Sequence, residues 1–293
     1  MEEGKTDYRL EWHTCRICGK SDRNKTYVVK EMMYGTKKEF DYFVCNHCKC
    51  MQIAEVPDNL GEYYQDDYYS FKEVERKEIK GSGEHKGDAI LDVGCGSGKY
   101  LCWLAEMGYE NLYGCDPFIE KDIQYGDKIY IKKCEIGQME GKFDYIRFGD
   151  SFEHLTNPLK TLAAVKKLLK KDGVCRINMP IFPNLAFDAF GVNWYQLDAP
   201  RHIFLHSRES VEYLCKECGF QIDEFRYDSN MFQFIISYLY EEGIPLRVFT
   251  NNAAAILGQM EEQNSIDFFQ KEAANANEMG YGDYANILIS HLE

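Results

Sequence analysis

Two groups of residues in this chain have the spacing that chemistry needs. The first is Leu91-Asp92-Val93-Gly94-Cys95-Gly96-Ser97-Gly98, where three glycines alternate directly after an apolar run. Glycines let the backbone come close to a ligand, and a helix opening after such a turn offers it unpaired N–H groups. The spacing differs from the G-x-G-x-x-G of dinucleotide-binding dehydrogenases, and Asp92 stands two positions before the first glycine. About 20 residues further on, Asp116 ends a second apolar run, where a carboxylate can accept hydrogen bonds from a ribose diol.

The second group is a pair of C-x-x-C turns, Cys15 with Cys18 and Cys45 with Cys48, separated by 26 residues. A two-residue gap lets one turn present two sulfurs, and four thiolates complete a tetrahedron around zinc. Such a closed site has no open position, so its expected role is structural. It would hold together a zinc-ribbon-like subdomain too small to fold alone. His47 and Cys50 read as bystanders, and Cys215-Lys216-Glu217-Cys218 has no partner pair and reads as packing.

These residues need elements to position them. Ala89–Val93 is a continuous apolar run, as suits a strand covered on both faces. Further strands are expected at Asn111–Cys115, Lys128–Lys133, Phe143–Phe148, Val174–Met179, Phe220–Tyr227 and Asn286–Ile289. Helices are expected between them. One has Asn157 as N-cap, Pro158 as first residue and Gly173 as its stop; another runs from Glu209 to Cys218. Strand–helix alternation implies an α/β, doubly wound, mostly parallel sheet of seven strands. Residues 1–60 form the zinc-binding part, 61–87 a tyrosine-rich connection, and 88–293 the α/β domain with a helical insertion at about 231–282.

Composition narrows the partners. Hydrophobic residues are 45% of the 293, enough for a real core and against disorder as the main state. The charge of −14 opposes binding to nucleic acid by bulk electrostatics. The longest near-apolar run, Met231–Tyr240, is about half of what a spanning helix needs, and no secretory pattern opens the chain. A cytoplasmic protein without a membrane partner is expected. Disulfides are disfavoured in that compartment, which strengthens the metal reading of the cysteines.

Residues 88–228 resemble a class I S-adenosylmethionine-dependent methyltransferase. The matching stretches are the glycine turn, Tyr113-Gly114-Cys115-Asp116-Pro117, Lys142-Phe143-Asp144-Tyr145-Ile146, Ser151-Phe152-Glu153-His154-Leu155-Thr156-Asn157-Pro158 and Asp198-Ala199-Pro200-Arg201-His202. The whole chain is also similar to a subgroup with an N-terminal zinc-binding region, which includes methyltransferases acting on nucleotide-activated sugars in cell-surface polysaccharide pathways. The resemblance implies a Rossmann-like methyltransferase fold. It implies that Asp92, Gly94, Cys95, Gly96 and Gly98 bear on the methionine portion and ribose of the cofactor, and that Asp116 holds the ribose hydroxyls. Glu135 and Ile136 would flank the adenine, and Gly149 and Asp150 would face the sulfonium. A helix before the first strand is shortened to about Phe71–Lys80.

Methyl transfer from a sulfonium is an in-line displacement, so positioning supplies most of the catalysis. A hydroxyl or carbon acceptor also needs a base, for which His154 and His202 are the candidates. Arg201 is expected to bind a substrate phosphate or carboxylate, and Tyr64 and Tyr68 to line the entrance. Each has a plainer reading: Glu153-His154 as a brace for the following helix, Asp198–His202 as a loop anchor, and the tyrosines as packing. The expected acceptor is a small molecule, a sugar or nucleotide-sugar, and a homo-oligomer is compatible with it. An RNA substrate gripped by the zinc knuckle and a non-catalytic cofactor-binding protein are the alternatives.

Overall fold

The computed structural model describes residues 7–64, 86–262 and 265–292. Its strands and helices, in chain order, are β1 (Arg9–Thr14), β2 (Ser21–Lys30), β3 (Glu39–Val44), β4 (Met51–Ile53), β5 (Ala89–Val93), α1 (Lys99–Glu106), β6 (Asn111–Cys115), β7 (Ile123–Tyr125), β8 (Ile129–Lys132), β9 (Phe143–Gly149), α2 (Pro158–Leu168), β10 (Leu169–Pro180), α3 (Leu185–Phe190), β11 (Phe204–Leu205), α4 (Arg208–Cys218), β12 (Phe220–Tyr227), α5 (Phe232–Glu241), α6 (Leu246–Glu262), α7 (Ser265–Glu278) and β13 (Tyr284–His291). Short 3-10 turns join several of them. The shortened helix expected at Phe71–Lys80, and Tyr68, lie outside the described residues.

The chain divides into two compact units. The first comprises Met1–Tyr63, Pro180–Tyr213 and Arg226–Asn286. Its sheet has the order β1-β2-β3-β4-β11, antiparallel at each pair. Strands β2 and β3 bury Tyr27, Val29, Tyr42 and Phe43, with Met51 and Ile53 buried on β4. The turn at Tyr34–Thr36 is tied down by Glu31, whose carboxylate accepts from the Tyr34 and Thr36 amides at 2.8 and 2.9 Å. The helices α5 to α7 bury Ile235, Leu239, Tyr240, Phe249 and Met260 in one cluster with Met32. Each such side chain is worth about 1.5–3 kcal/mol when removed from water. Trp194 is fully buried, and its indole N–H donates to Asp283 at 3.0 Å.

The second unit comprises Tyr64–Met179, Leu214–Phe225 and Ile287–Glu293. Its sheet runs β12-β13-β10-β9-β5-β6-β8-β7. The pairs β5–β6, β6–β8, β5–β9 and β9–β10 are parallel, as the strand–helix alternation requires. The seven strands expected are present, with the short β7 added as an antiparallel edge. Helix α1 turns Leu101 and Leu104 onto Ile90, Leu112, Ile129 and Ile131. Helix α2 opens as its sequence dictates, with Asn157 Oδ1 accepting from the Lys160 amide at 3.0 Å and Pro158 in the first turn. Its end differs from expectation. Gly173 does not stop it, because Leu169 already pairs with Phe143 and the chain enters β10 there. Among the described residues, no helix is long and apolar enough to cross a membrane.

Asp283 supplies a stability test. Burial pushes its carboxyl up to about 6, so the folded state favours the protonated form. That contribution is complete below about pH 4, the unfolded value, and is lost as pH rises through about 6. Asp283→Asn keeps an oxygen for Trp194 and removes the titration. In chemical denaturation, the variant should match the wild type near pH 4 and exceed it by about 2–3 kcal/mol at pH 7.5. An equal difference at both pH values would refute this.

Candidate active site

Strand register builds the site in the second unit. Val93 lies opposite Cys115, Cys115 opposite Lys132, and Val93 opposite Phe148. Strands β5, β6 and β9 end within a residue of one another, so Gly94, Asp116 and the Gly149–Asp150 pair fall in one row at their carboxyl ends. Open α/β sheets take their ligands there. Gly94 has a φ of 72°, and a Cβ on it would stand 2.6 Å from that of Ser151. Ser151 Oγ donates to the Val93 carbonyl at 2.7 Å, so the loop after β9 is fastened to the loop after β5. A side chain at Gly94 would force the two loops apart. Gly96 and Gly98 are also left-handed, and burial pushes the Cys95 thiol up.

Asp116 is buried, and both carboxylate oxygens are oriented by the backbone. Oδ2 accepts from the Gly96 amide at 2.9 Å and Oδ1 from the Phe118 amide at 2.8 Å. A carboxylate oxygen has a second lone pair, so Asp116 can still accept a hydroxyl on each. Past β8, Glu135 and Gln138 close a capping box around a 3-10 turn, and Ile136 is buried beneath it. Asp150 is left-handed at φ 55°. These features fit a ribonucleoside ligand: a turn open to close approach, a fixed pair of acceptors, and an apolar residue at the third strand end.

Asp92 is buried. It accepts from Arg147 Nη1 at 2.9 Å, and its side chain is 4% exposed. Burial pushes its carboxyl up and the guanidinium pulls it back. Sequence reasoning missed Arg147, although a lone cation in Tyr145-Ile146-Arg147-Phe148 is a visible break in a buried strand.

His154 ends a 3-10 turn (Phe152–His154) after β9 and is half-buried. Its Nδ1 is 3.0 Å from the Tyr64 hydroxyl. Tyr64 in turn stacks on Phe118, with ring centroids 5.5 Å apart and planes at 15°. Tyr64 and His154 are thus brought together, beside an exposed Phe118 that sequence reasoning passed over.

The first unit holds Arg201 and His202, and it corrects one expectation. Arg201 is fully buried rather than presented to a substrate. Its guanidinium binds Asp198 through Nε at 2.9 Å and Nη2 at 2.5 Å, donates to the Tyr63 carbonyl at 3.2 Å, and reaches Glu31 at 3.4 Å. A charge so buried needs those partners, so Arg201 anchors its loop. His202 is also buried. Its Nδ1 is 2.7 Å from the Gln196 carbonyl, which can only accept, so Nδ1 carries the proton and Nε2 the lone pair. Burial lowers its pKa, opposed by Asp198, so the ring favours the neutral form.

The cysteines assemble in the same unit. The sulfurs of Cys15, Cys18, Cys45 and Cys48 all lie within 4.8 Å of one another. The two turns are alike. Each closes with amide-to-carbonyl bonds, Gly19 to Cys15 at 2.9 Å and Lys49 to Cys45 at 3.0 Å. The Ile17 and His47 amides each point at a sulfur, 3.4 Å from Cys15 and Cys45. Gln52 Nε2 adds a donor to Cys15 at 3.1 Å. Such N–H donors stabilise thiolates, and the donor set suits zinc. The buried Cys50 stands outside the cluster.

Among curated proteins, the chain is 30% identical over 101 residues to a tRNA U34 carboxymethyltransferase of Campylobacter lari, covering 31% of this chain and 35% of that one. It is 31% identical over 99 residues to a ubiquinone biosynthesis O-methyltransferase of Dechloromonas aromatica, covering 30% and 42%. The chain thus spans half or less of the length of these relatives. Among solved structures, it is similar to a Burkholderia thailandensis 1,6-didemethyltoxoflavin-N1-methyltransferase crystallised with S-adenosylhomocysteine. That likeness has 12% identity, a TM-score of 0.41, and coverage of 71% of this chain and 72% of the other. The sequence profile of the methyltransferase-domain family matches residues 69–224, which include the glycine turn, Asp116, His154 and every strand from β5 to β11. The chain belongs to that methyltransferase-domain family.

Proposed function

We propose that the chain methylates a small-molecule acceptor, a sugar or nucleotide-sugar of surface-glycan biosynthesis. The observation that carries the cofactor part of the reading is the row of Gly94, Asp116 and Asp150 at the strand ends. When bound, S-adenosylmethionine supplies a methyl group already activated by its sulfonium. Asp116 would hold the ribose hydroxyls on its two remaining lone pairs. Gly94, Cys95, Gly96 and Gly98 would bear on the ribose and methionine portions. Glu135 and Ile136 would flank the adenine, and Gly149 and Asp150 would border the sulfonium.

His154 is the favoured base. The Tyr64 hydroxyl, 3.0 Å from Nδ1, orients its ring at the end of the loop after β9. His202 is the second candidate, its Nδ1 held at the Gln196 carbonyl and its Nε2 3.7 Å from Asp198. The four-cysteine cluster would hold one structural zinc.

An RNA acceptor is the second reading, supported by the tRNA enzymes among the relatives. On the first unit, Trp12 is 72% exposed opposite Arg23, and the Lys25 ammonium lies 4.6 Å from the Tyr8 ring centroid. Aromatic and cationic side chains together can stack on bases. Against this stands the net charge of −14. The two readings separate in one measurement. Affinity for RNA would fall steeply with salt, whereas turnover on a sugar would not.

Three outcomes test the proposal. Calorimetry should detect uptake of S-adenosylhomocysteine, and Asp116→Ala should weaken it by roughly 100-fold, the loss of two hydrogen bonds to a charged group; no uptake by folded wild type would end the reading. His154→Ala should lower turnover by about 10²–10⁴ while leaving that affinity intact. If both His154→Ala and His202→Ala keep full turnover on the identified acceptor, neither histidine is the base. Native mass spectrometry should find one zinc, lost in Cys45→Ser and kept in Cys50→Ser; retention in both would exclude this ligand set.

A further inference from the structure

Arg147 lies at the cofactor end of the sheet with most of its hydrogen-bonding capacity uncommitted. Its side chain leaves β9 opposite Asp92 on β5 and folds along the strand toward the carboxyl edge. There it lies flat over the Gly149 backbone. A Cβ on Gly149 would collide with the guanidinium carbon and both terminal nitrogens. Tyr100, in the first turn of α1, covers the other face at 4.0 Å. One of its five donors goes to Asp92 at 2.9 Å. Among the described residues no other hydrogen bond of Arg147 is found, and its side chain stays 18% exposed. Asp150 acts on its charge from beyond the strand end.

Set against the nearby carboxylates of Asp92 and Asp150, two features of α1 suit an anion. Helix α1 has no acidic residue in its first turn and no side-chain cap on its N-terminus. Lys99, its first residue, buries its ammonium without a hydrogen-bond partner. Asp92 cannot serve as that anion for an arriving ligand, because it is spent on orienting the guanidinium.

We propose that Arg147 holds the carboxylate at the amino-acid end of the cofactor, with Gly149 as its floor, Tyr100 as its cover and Asp92 fixing its direction. The cofactor's methionine carries one carboxylate, and the row past the sheet edge otherwise offers it carboxylates at Asp116 and Asp150. A guanidinium binds a carboxylate bidentately through two parallel N–H donors, which also fixes orientation. The inference rests on the reading of this crevice as the cofactor site and adds the residue that would select an intact methionine arm.

The test is calorimetry on the full chain with three probes: S-adenosylhomocysteine, its decarboxylated analogue, and methylthioadenosine, which lacks the amino acid altogether. Wild type should prefer S-adenosylhomocysteine to the decarboxylated analogue by about 10- to 100-fold. Arg147→Gln should erase that preference while holding methylthioadenosine within about twofold of wild type. Since Arg147→Gln leaves Asp92 buried without its partner, Asp92→Asn/Arg147→Gln repeats the measurement with both charges removed. A wild type indifferent to the carboxylate, or variants that keep the preference, would overturn the role of Arg147 alone. Failure of the wild type to bind any of the three would overturn the crevice reading together with it.

Discussion

The constraint beneath the rest is that parallel neighbours in this sheet end at one level. Register, rather than any single contact, brings Gly94, Asp116 and Asp150 into a row from three separate parts of the chain. The ladder runs on through the amides of Gly94, Asp116 and Asp150, which donate to Cys115, Lys132 and Asn178. Beyond them Asp116 accepts from the Gly96 and Phe118 amides, which fix its carboxylate. The site is rigid because its acceptors are oriented by main chain.

The first unit solves a different problem, the burial of charge. Arg201, Asp198 and Glu31 are removed from water together, with the Tyr34–Thr36 amides completing the shell around Glu31. Removing one member would leave another charged and unpaired, which costs far more than the set gains as a whole. The cysteine cluster does comparable work by other means. Its paired turns repeat the same amide-to-sulfur pattern, so each turn presents two sulfurs to one point.

Local signals in the sequence were reliable where local energy decides. The runs Ala89–Val93, Asn111–Cys115 and Phe220–Tyr227 have in the structure the limits their composition suggests. The Asn157 cap is where its side chain and Pro158 place it. What was not legible depends on distant partners. Nothing near Arg201 announces Glu31, 170 residues earlier in the chain, so a guanidinium in a loop reads as available when it is sealed. Gly173 looks like a helix stop, yet the pairing of Leu169 with Phe143 draws the chain into β10 first. Arg147 was visible as an oddity in a buried strand, but its meaning required knowing that Asp92 stands across from it.

The flat seat of Arg147 on Gly149 has an evolutionary corollary. The two positions, one side chain and one absent side chain, occupy the same volume and cannot drift separately. A lineage that replaced the arginine by something short would be released to put alanine or serine on the neighbouring strand residue. One that gained a side chain there first would have to evict the guanidinium and strand Asp92. Arginine at 147 and a side chain at 149 are thus mutually exclusive in this geometry.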